Sequence, residues 1–361
     1  MRSGGRVQCA AGPMRVADFD FDLPDELVAQ EPPAQRGASR LMRLDRWTGA
    51  TAVGAMRDIV GWLRPGDLLV VNDTRVFPAR LLGHRLPGGG RIECLLIREV
   101  ESSVWEALVH PGQRIKAGTR FVLEGESGSI DGEVLARDGF GRRTVRLTPR
   151  DARPLDEVIE AIGHMPLPPY IHRPDRPEDR ERYQTVFSRV RGSVASPTAG
   201  LHFTPELLAQ LEARGIERVS VTHHVGYGTF KPVRVDEVEA HTVDAETYSI
   251  EPGVADAINR ARGEGRRIVV VGTTTTRALE SAVRAGDGLV RPGRATTDLY
   301  IHPGFEFRIV QALVTNFHVP RSSLLFLVCA FAGREHVLAA YRRAIAEGFR
   351  FYSYGDAMLI E

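Results

Sequence analysis

Arg267-Ile268-Val269-Val270-Val271-Gly272-Thr273-Thr274-Thr275-Thr276-Arg277 joins an apolar run to a threonine-rich turn. Ile268 to Val271 are four β-branched apolar residues in succession, with no polar alternation between them. Such a run reads as a strand buried on both faces, which is the pattern of a parallel sheet covered by helices on each side. The glycine and threonines break the run, and residues 274–285 then read as the helix that follows. The unit places hydroxyls and amides at the carboxyl end of a strand, where open α/β sheets commonly hold their ligands.

The same alternation continues outward. Upstream, residues 253–263 read as a helix and 219–223 as a strand. Residues 205–214 read as an amphipathic helix with Thr204 as its N-cap. Residues 166–177 carry five prolines and read as a stiff extended connector. Downstream, residues 307–315 lead as strand or helix to Asn316, residues 324–331 form an apolar buried helix, and residues 335–347 a final helix. Nearer the N-terminus, residues 16–21 alternate weakly as a strand, and 23–27 turn into a short helix. Residues 38–45 and 68–72 are strands flanking a short helix at 59–63. Residues 76–149 differ: short β-like pieces at 92–97, 104–109, 120–123, 129–135 and 143–147 are separated by glycine and proline turns, as in a small antiparallel barrel or sandwich. The expected class is α/β: a mixed α/β core domain with an inserted small antiparallel β-barrel domain. The core is discontinuous (14–75 and 150–361), the insert spans 76–149, and residues 1–13 are a disordered extension, with the folded chain expected to begin at Met14.

Composition narrows the function classes. In 361 residues, 43% hydrophobic and 26% charged content describes a globular protein rather than a disordered one. A formal net charge of +1 excludes a dominant polybasic surface but not a local basic patch. Lysine occurs only at Lys116 and Lys231, so nearly all positive charge is arginine. Cys9, Cys94 and Cys329 lie far apart, with neither metal-ligand spacing nor a disulfide framework, as expected for a reducing, cytoplasmic setting. The longest apolar run, residues 324–332, is too short to cross a bilayer.

Polar clusters fall where strands end. Asn72-Asp73-Thr74-Arg75 either grips a ribose or phosphate or serves as a cap and ion pair. Residues 192–203, with Gly200 and Thr198 before His202, either bring backbone close to a ligand or form a packed loop around a bonded histidine. His223-His224 precede Gly226, Gly228 and Thr229; adjacent histidines on a strand face opposite ways and so do not ligate one ion together, and with His241, Asp244 and Glu246 the spacing matches no zinc pattern. Thr273 and Thr274 open the helix after the buried strand, and Asn316, His318 and Arg321 precede the apolar helix. Phe351, Tyr352 and Tyr354 either stack a nucleobase or seal the chain's tail. No P-loop or dinucleotide fingerprint is present, and no nucleophile turn of a serine hydrolase. A methyltransferase would need a glycine-rich nucleotide loop after its first strand, which is absent. A non-catalytic RNA-binding module and a metal-dependent hydrolase are the remaining alternatives.

In order along the chain, Met14-Arg15-Val16 with residues 18–21, 72–80, 166–170, 181–187, 192–204, 224–233, 272–274 with Arg277, 315–320 and 351–360 resemble the S-adenosylmethionine:tRNA ribosyltransferase-isomerase family of queuosine biosynthesis. The resemblance covers residues 14–361. It implies a β-barrel set into an α/β domain. It also implies transfer and isomerisation of the ribosyl part of S-adenosylmethionine onto 7-aminomethyl-7-deazaguanine at the tRNA wobble position, giving epoxyqueuosine in tRNA, adenine and methionine. S-Adenosylmethionine is then a consumed ribosyl donor, with no recycled cofactor and no metal. The partner is tRNA, the setting is the cytoplasm without a membrane, and the chain is a monomer. Within that frame His202 and His224 are expected to transfer protons, with Asp73 and His318 completing the catalytic set. Arg75, Thr198, Gly200, Gly226, Gly228, Thr273, Thr274 and Asn316 are expected to contact the donor, and Tyr183 and Gln184 to order the neighbouring loop. Arg80, Arg85, Arg142, Arg143 and the arginines of 173–191 either meet tRNA or pair with nearby acids. Two residues depart from the family pattern: Asp244 stands where a second histidine is usual, and His223 where an apolar residue is common.

Overall fold

The computed structural model describes residues 13–361, so the extension expected over 1–13 lies, apart from Pro13, outside the described residues. A mixed sheet of nine strands runs in the order Gly293–Thr297, Glu246–Ile250, Glu217–His223, Leu68–Asn72, Ile268–Val271, Ala312–Asn316, Ala357–Ile360, Arg40–Leu44 and Thr51–Ala55. The four central strands, from Glu217–His223 to Ala312–Asn316, are mutually parallel. Asn72, His223, Val271 and Asn316 therefore emerge at one end of the sheet. Every residue of Ile268–Val271 is buried, as the unbroken β-branched run requires.

Side chains alternate between two cores. Leu68, Val70, Ile268, Val270 and Leu313 pack with the helices Pro252–Gly263, Thr273–Ala285, Ser323–Ala332 and Arg334–Ala346. Leu69, Val71, Val269, Val271, Ala312 and Val314 pack on the other face with Ile59, Leu63 and the apolar side of Pro205–Ala213. That last helix starts as its sequence predicts: Thr204 Oγ1 accepts the Leu207 N–H at 3.1 Å. No single helix among the described residues is long and apolar enough to cross a membrane; Ser323–Ala332 and Arg334–Ala346 meet at a 114° break.

The barrel is closed and antiparallel, in the order Arg142–Pro149, Val104–His110, Arg91–Glu101, Arg80–Leu86, Arg120–Gly125, Gly128–Arg137. Leu81, Cys94, Leu96, Trp105, Phe121, Leu123, Ile130 and Val145 fill it, and Val158, Ile159 and Ile162 of the following helix pack against it. Gly83 is a close-approach position, where a Cβ would stand 1.8 Å from the Val122 carbonyl oxygen. Arg143 is 1% exposed and donates to the carbonyls of Ile115, Gly112 and Arg142. It is therefore an internal brace of the barrel, not a surface contact for RNA.

The strand expected at residues 16–21 is instead the 3-10 helix Val16–Phe19, with Val16 and Phe19 buried. Apolar residues three apart share a face in a 3-10 turn, whereas a strand would send them to opposite faces. The sheet strands Thr51–Ala55, Glu246–Ile250, Gly293–Thr297 and Ala357–Ile360 are additional to those expected from the sequence.

Candidate active site

A cavity of about 370 Å3 opens at the carboxyl ends of the central strands. That volume lies in the range of small-molecule sites. Residues from several distant segments line it: Thr198, Thr273, Thr274, Asn316 and His318 from the expected set, together with Tyr170, Ser196, Thr229, Lys231, Arg321, Tyr352 and Ser353. The parallel strand order brings these segments together, because Gly272–Thr274 and Thr315–Asn316 leave adjacent strands side by side.

The four consecutive threonines divide their work. Thr275 and Thr276 donate their hydroxyls back to the carbonyls of Val271 and Gly272, at 2.6 and 3.1 Å. Thr273 and Thr274 line the cavity at the first turn of Thr273–Ala285, where helix N–H groups and dipole favour an anionic group. Gly272 has φ of 91°, a conformation that glycine adopts without steric penalty.

Asn316 is locked on both sides of its amide. Its Oδ1 accepts the Thr198 hydroxyl at 3.1 Å, while Nδ2 donates to the Tyr352 carbonyl at 2.9 Å and to His202 Nε2 at 3.1 Å. Since an amide NH2 only donates, His202 Nε2 accepts, and its ring proton sits on Nδ1, bonded to Ser39 Oγ at 2.8 Å. Burial, reinforced by Arg36, pushes the His202 pKa down to about 4, so it is neutral near pH 7. His202 thus stands behind Asn316 and outside the cavity lining. His224 also lies outside the lining; its Nδ1 is 2.8 Å from Thr74 Oγ1, and burial, then the neighbouring His223 and Arg294, lower its pKa. His318 does line the cavity, bonded through Nε2 to Thr315 Oγ1 at 2.8 Å. Burial pushes its pKa down to about 3, so it presents a neutral imidazole.

Asp73 is 2% exposed, accepting the Thr222 hydroxyl at 2.6 Å and pairing with Arg189 at 2.9 Å. Arg75 is exposed on the short strand Thr74–Val76. Neither lines the cavity. Gly200 packs under Thr185 and Phe187, where a Cβ would stand 2.7 Å from each. Gly226 donates its N–H to Glu246 Oε1 at 2.8 Å, and Gly228 lies against Asp244. These two glycines shape the loop that carries Thr229 and Lys231 to the cavity. Tyr183 is buried, and Gln184 clamps Val76 through both its amide groups.

Both departures from the family pattern are engaged in polar contacts. His223 is fully buried, 2.9 Å from Glu246 Oε2 and 2.9 Å from the Thr274 carbonyl. Glu246 also binds Arg277 at 2.5 Å. Asp244 pairs with Lys231 at 2.6 Å and with Arg142 of the barrel at 2.6 Å, linking the barrel wall to a cavity residue. Lys231 is a further cavity residue outside the expected set, although it is one of only two lysines in an arginine-rich chain. Tyr170 lay hidden in the proline-dense connector, and Ser196 beside Thr198.

The comparisons agree with this architecture. The model of a family described as queuosine biosynthesis protein matches residues 16–360. An S-adenosylmethionine:tRNA ribosyltransferase-isomerase of Syntrophotalea carbinolica is 52% identical over 349 residues, covering 96% of this chain and 100% of the relative. One from Desulfitobacterium hafniense is 48% identical over 347 residues, with the same shares covered. A crystal structure of S-adenosylmethionine tRNA ribosyltransferase from Thermotoga maritima matches with a TM-score of 0.53 at 38% identity, covering 95% of this chain and 100% of that one. A full-length match in sequence and an α/β sheet bearing a closed barrel lead to one assignment: the chain belongs to the S-adenosylmethionine:tRNA ribosyltransferase-isomerase family of queuosine biosynthesis.

Proposed function

We propose that the enzyme moves the ribosyl group of S-adenosylmethionine onto the aminomethyl group of 7-aminomethyl-7-deazaguanine at the tRNA wobble position. The products are epoxyqueuosine-tRNA, adenine and methionine. The observation that carries this reading is the cavity itself. Its lining combines hydroxyls, an amide, a neutral imidazole and two cations, Lys231 and Arg321, with no carboxylate among the described lining residues. Each cation is held by an acid outside the lining, Lys231 by Asp244 and Arg321 by Asp20. A ligand bearing a carboxylate and ribose hydroxyls matches that set.

The donor's sulfonium acidifies the hydrogens on the adjacent ribose carbon. Removal of one by a base begins the path to adenine loss. The acceptor amine, in its neutral form, attacks the sugar, and epoxide closure expels methionine. His318 is the imidazole in the lining, and that position gives it the role of base. His202 holds Asn316, and Asn316 with Thr198 orients the donor. Thr273, Thr274 and Lys231 receive the methionyl carboxylate. His224 and Asp73 brace the strand ends from behind.

The test is product analysis with S-adenosylmethionine and tRNA bearing 7-aminomethyl-7-deazaguanine. The expected result is equimolar adenine and methionine, formed only with that tRNA. S-Adenosylhomocysteine in their place would make the protein a methyltransferase.

A further inference from the structure

Four non-glycine residues among those described have positive φ, and two of them, Arg321 (56°) and Tyr352 (73°), line the cavity. A bulky aromatic residue in the left-handed region is an outlier that persists only where its surroundings over-determine it, and such residues gather at ligand sites. Three hydrogen bonds hold Tyr352 there. Its N–H donates to the Phe317 carbonyl at 3.1 Å, and its own carbonyl accepts from Asn316 Nδ2 at 2.9 Å and from the Gly355 N–H at 3.1 Å. Sealing the chain's tail does not need this conformation. Phe351, fully buried among Phe317, Tyr341 and Phe21, performs the sealing. Tyr352 is only half-buried and turns its ring to the cavity side, 4.5 Å from Tyr170. Tyr170 is itself fixed by a 2.6 Å bond to Ser353 Oγ.

A second observation is independent of the backbone. Ser196 lines the same cavity, is 6% exposed, and its hydroxyl has no hydrogen-bond partner. Buried hydroxyls are nearly always paired, and this one has its hydrogen bond free for a ligand in the cavity. Ser196 connects to the tyrosines through the wall: Thr198, two residues on, bonds Asn316, which bonds Tyr352.

We infer that Tyr352, Tyr170 and Ser196 form a slot for a flat, fused-ring purine-like base, the tyrosines offering a stacking face and the serine a hydrogen bond to its edge. The inference rests on the function proposed above, which supplies two bases of that chemistry: adenine of the donor and the deazaguanine of the acceptor. Stacking on an aromatic face is tolerant of which base it meets, so the edge contact and the position in the cavity choose between them.

The test measures binding of S-adenosylmethionine, adenosine and free 7-aminomethyl-7-deazaguanine to the full chain by calorimetry, with thermal midpoints recorded for each variant. Ser196→Ala removes an unpaired buried hydroxyl, so its midpoint is expected to hold or rise. Its affinity for the base in the slot is expected to fall about tenfold. Tyr352→Asn keeps a residue that tolerates positive φ but loses the ring, and is expected to weaken the same ligand by tenfold or more, roughly. Tyr352→Phe is expected to keep most of the affinity. Weakening of adenosine and S-adenosylmethionine assigns the slot to the donor; weakening of the deazaguanine alone assigns it to the acceptor. Wild-type binding of S-adenosylmethionine, with no loss of affinity for any of the three ligands in Ser196→Ala or Tyr352→Asn, overturns the slot and leaves the function standing. Wild-type binding of a free base but not of S-adenosylmethionine overturns the function and leaves the slot. Binding of none of the three overturns both.

Discussion

Glu246→Gln is predicted to destabilise the protein by about 3 kcal/mol at neutral pH, and to do so only while the carboxylate is ionised. Glu246 is 6% exposed and accepts from His223 at 2.9 Å, Arg277 at 2.5 Å and the Gly226 N–H at 2.8 Å. Burial alone would raise its pKa. The His223 hydrogen bond, the Arg277 and His223 charges and the Gly226 N–H together overcome burial and bring it from 4.5 to about 2. At about 1.4 kcal/mol per tenfold, that drop corresponds to roughly 3 kcal/mol favouring the folded state. Glutamine keeps the size but leaves the Arg277 charge buried without its counter-ion, a change of similar size. The sign follows from the depressed value: the contribution is complete above the unfolded pKa of 4.5 and is lost as pH falls toward 2. The assay is urea unfolding of wild type and variant at pH 7, repeated at falling pH. The gap in unfolding free energy should be about 3 kcal/mol at pH 7 and should shrink by about half near pH 3. A gap below about 1 kcal/mol at pH 7, or one unchanged near pH 3, would mean that the ionised Glu246 does not stabilise the fold in this way.

Further outcomes follow from single positions. His318→Ala should lower turnover by about 100–10,000-fold while donor affinity, read by calorimetry, stays within a few-fold; an unchanged turnover would remove His318 as the base. Thr204→Ala should cost about 1 kcal/mol in urea unfolding through loss of the N-cap on Pro205–Ala213, with donor affinity unaltered. Gly83→Ala should strain the barrel by about 1–3 kcal/mol, because the new Cβ meets a backbone carbonyl at 1.8 Å; the buried Trp105 offers a fluorescence signal for that unit. Asp244→Asn should lower stability by less than about 1 kcal/mol, since Asp244, Lys231 and Arg142 are all about one-third exposed, and added salt should remove the difference.

Buried periodicity was readable and edge pairing was not. Ile268–Val271 announces itself because every residue is apolar and β-branched, and Thr204 announces its helix because capping is local. Gly293–Thr297 is exposed at four of its five positions, so it exists by pairing with Glu246–Ile250 rather than by burial, and no apolar pattern marks it. Ala357–Ile360 is fully buried but only four residues long at the chain's end, placed by parallel pairing with Arg40–Leu44, more than three hundred residues away. The site divides in the same way. Thr273, Thr274, Asn316 and His318 were legible because strand-end turns are where such sheets hold ligands. That Asn316 stands between His202 and the cavity depends on strand order, which no local signal carries. Ser196 and Tyr352 matter through an unpaired hydroxyl and a backbone angle, and both are properties of the folded chain alone.

Ribosyl transfer leaves a signature that position-specific labelling reads. S-Adenosylmethionine carrying one label in its ribose and another in its methyl group would be incubated with the full chain and tRNA bearing 7-aminomethyl-7-deazaguanine. Ribosyl transfer puts the ribose label in the tRNA and the methyl label in free methionine. Methyl label in the tRNA, with ribose label remaining on the adenosyl product, would contradict it.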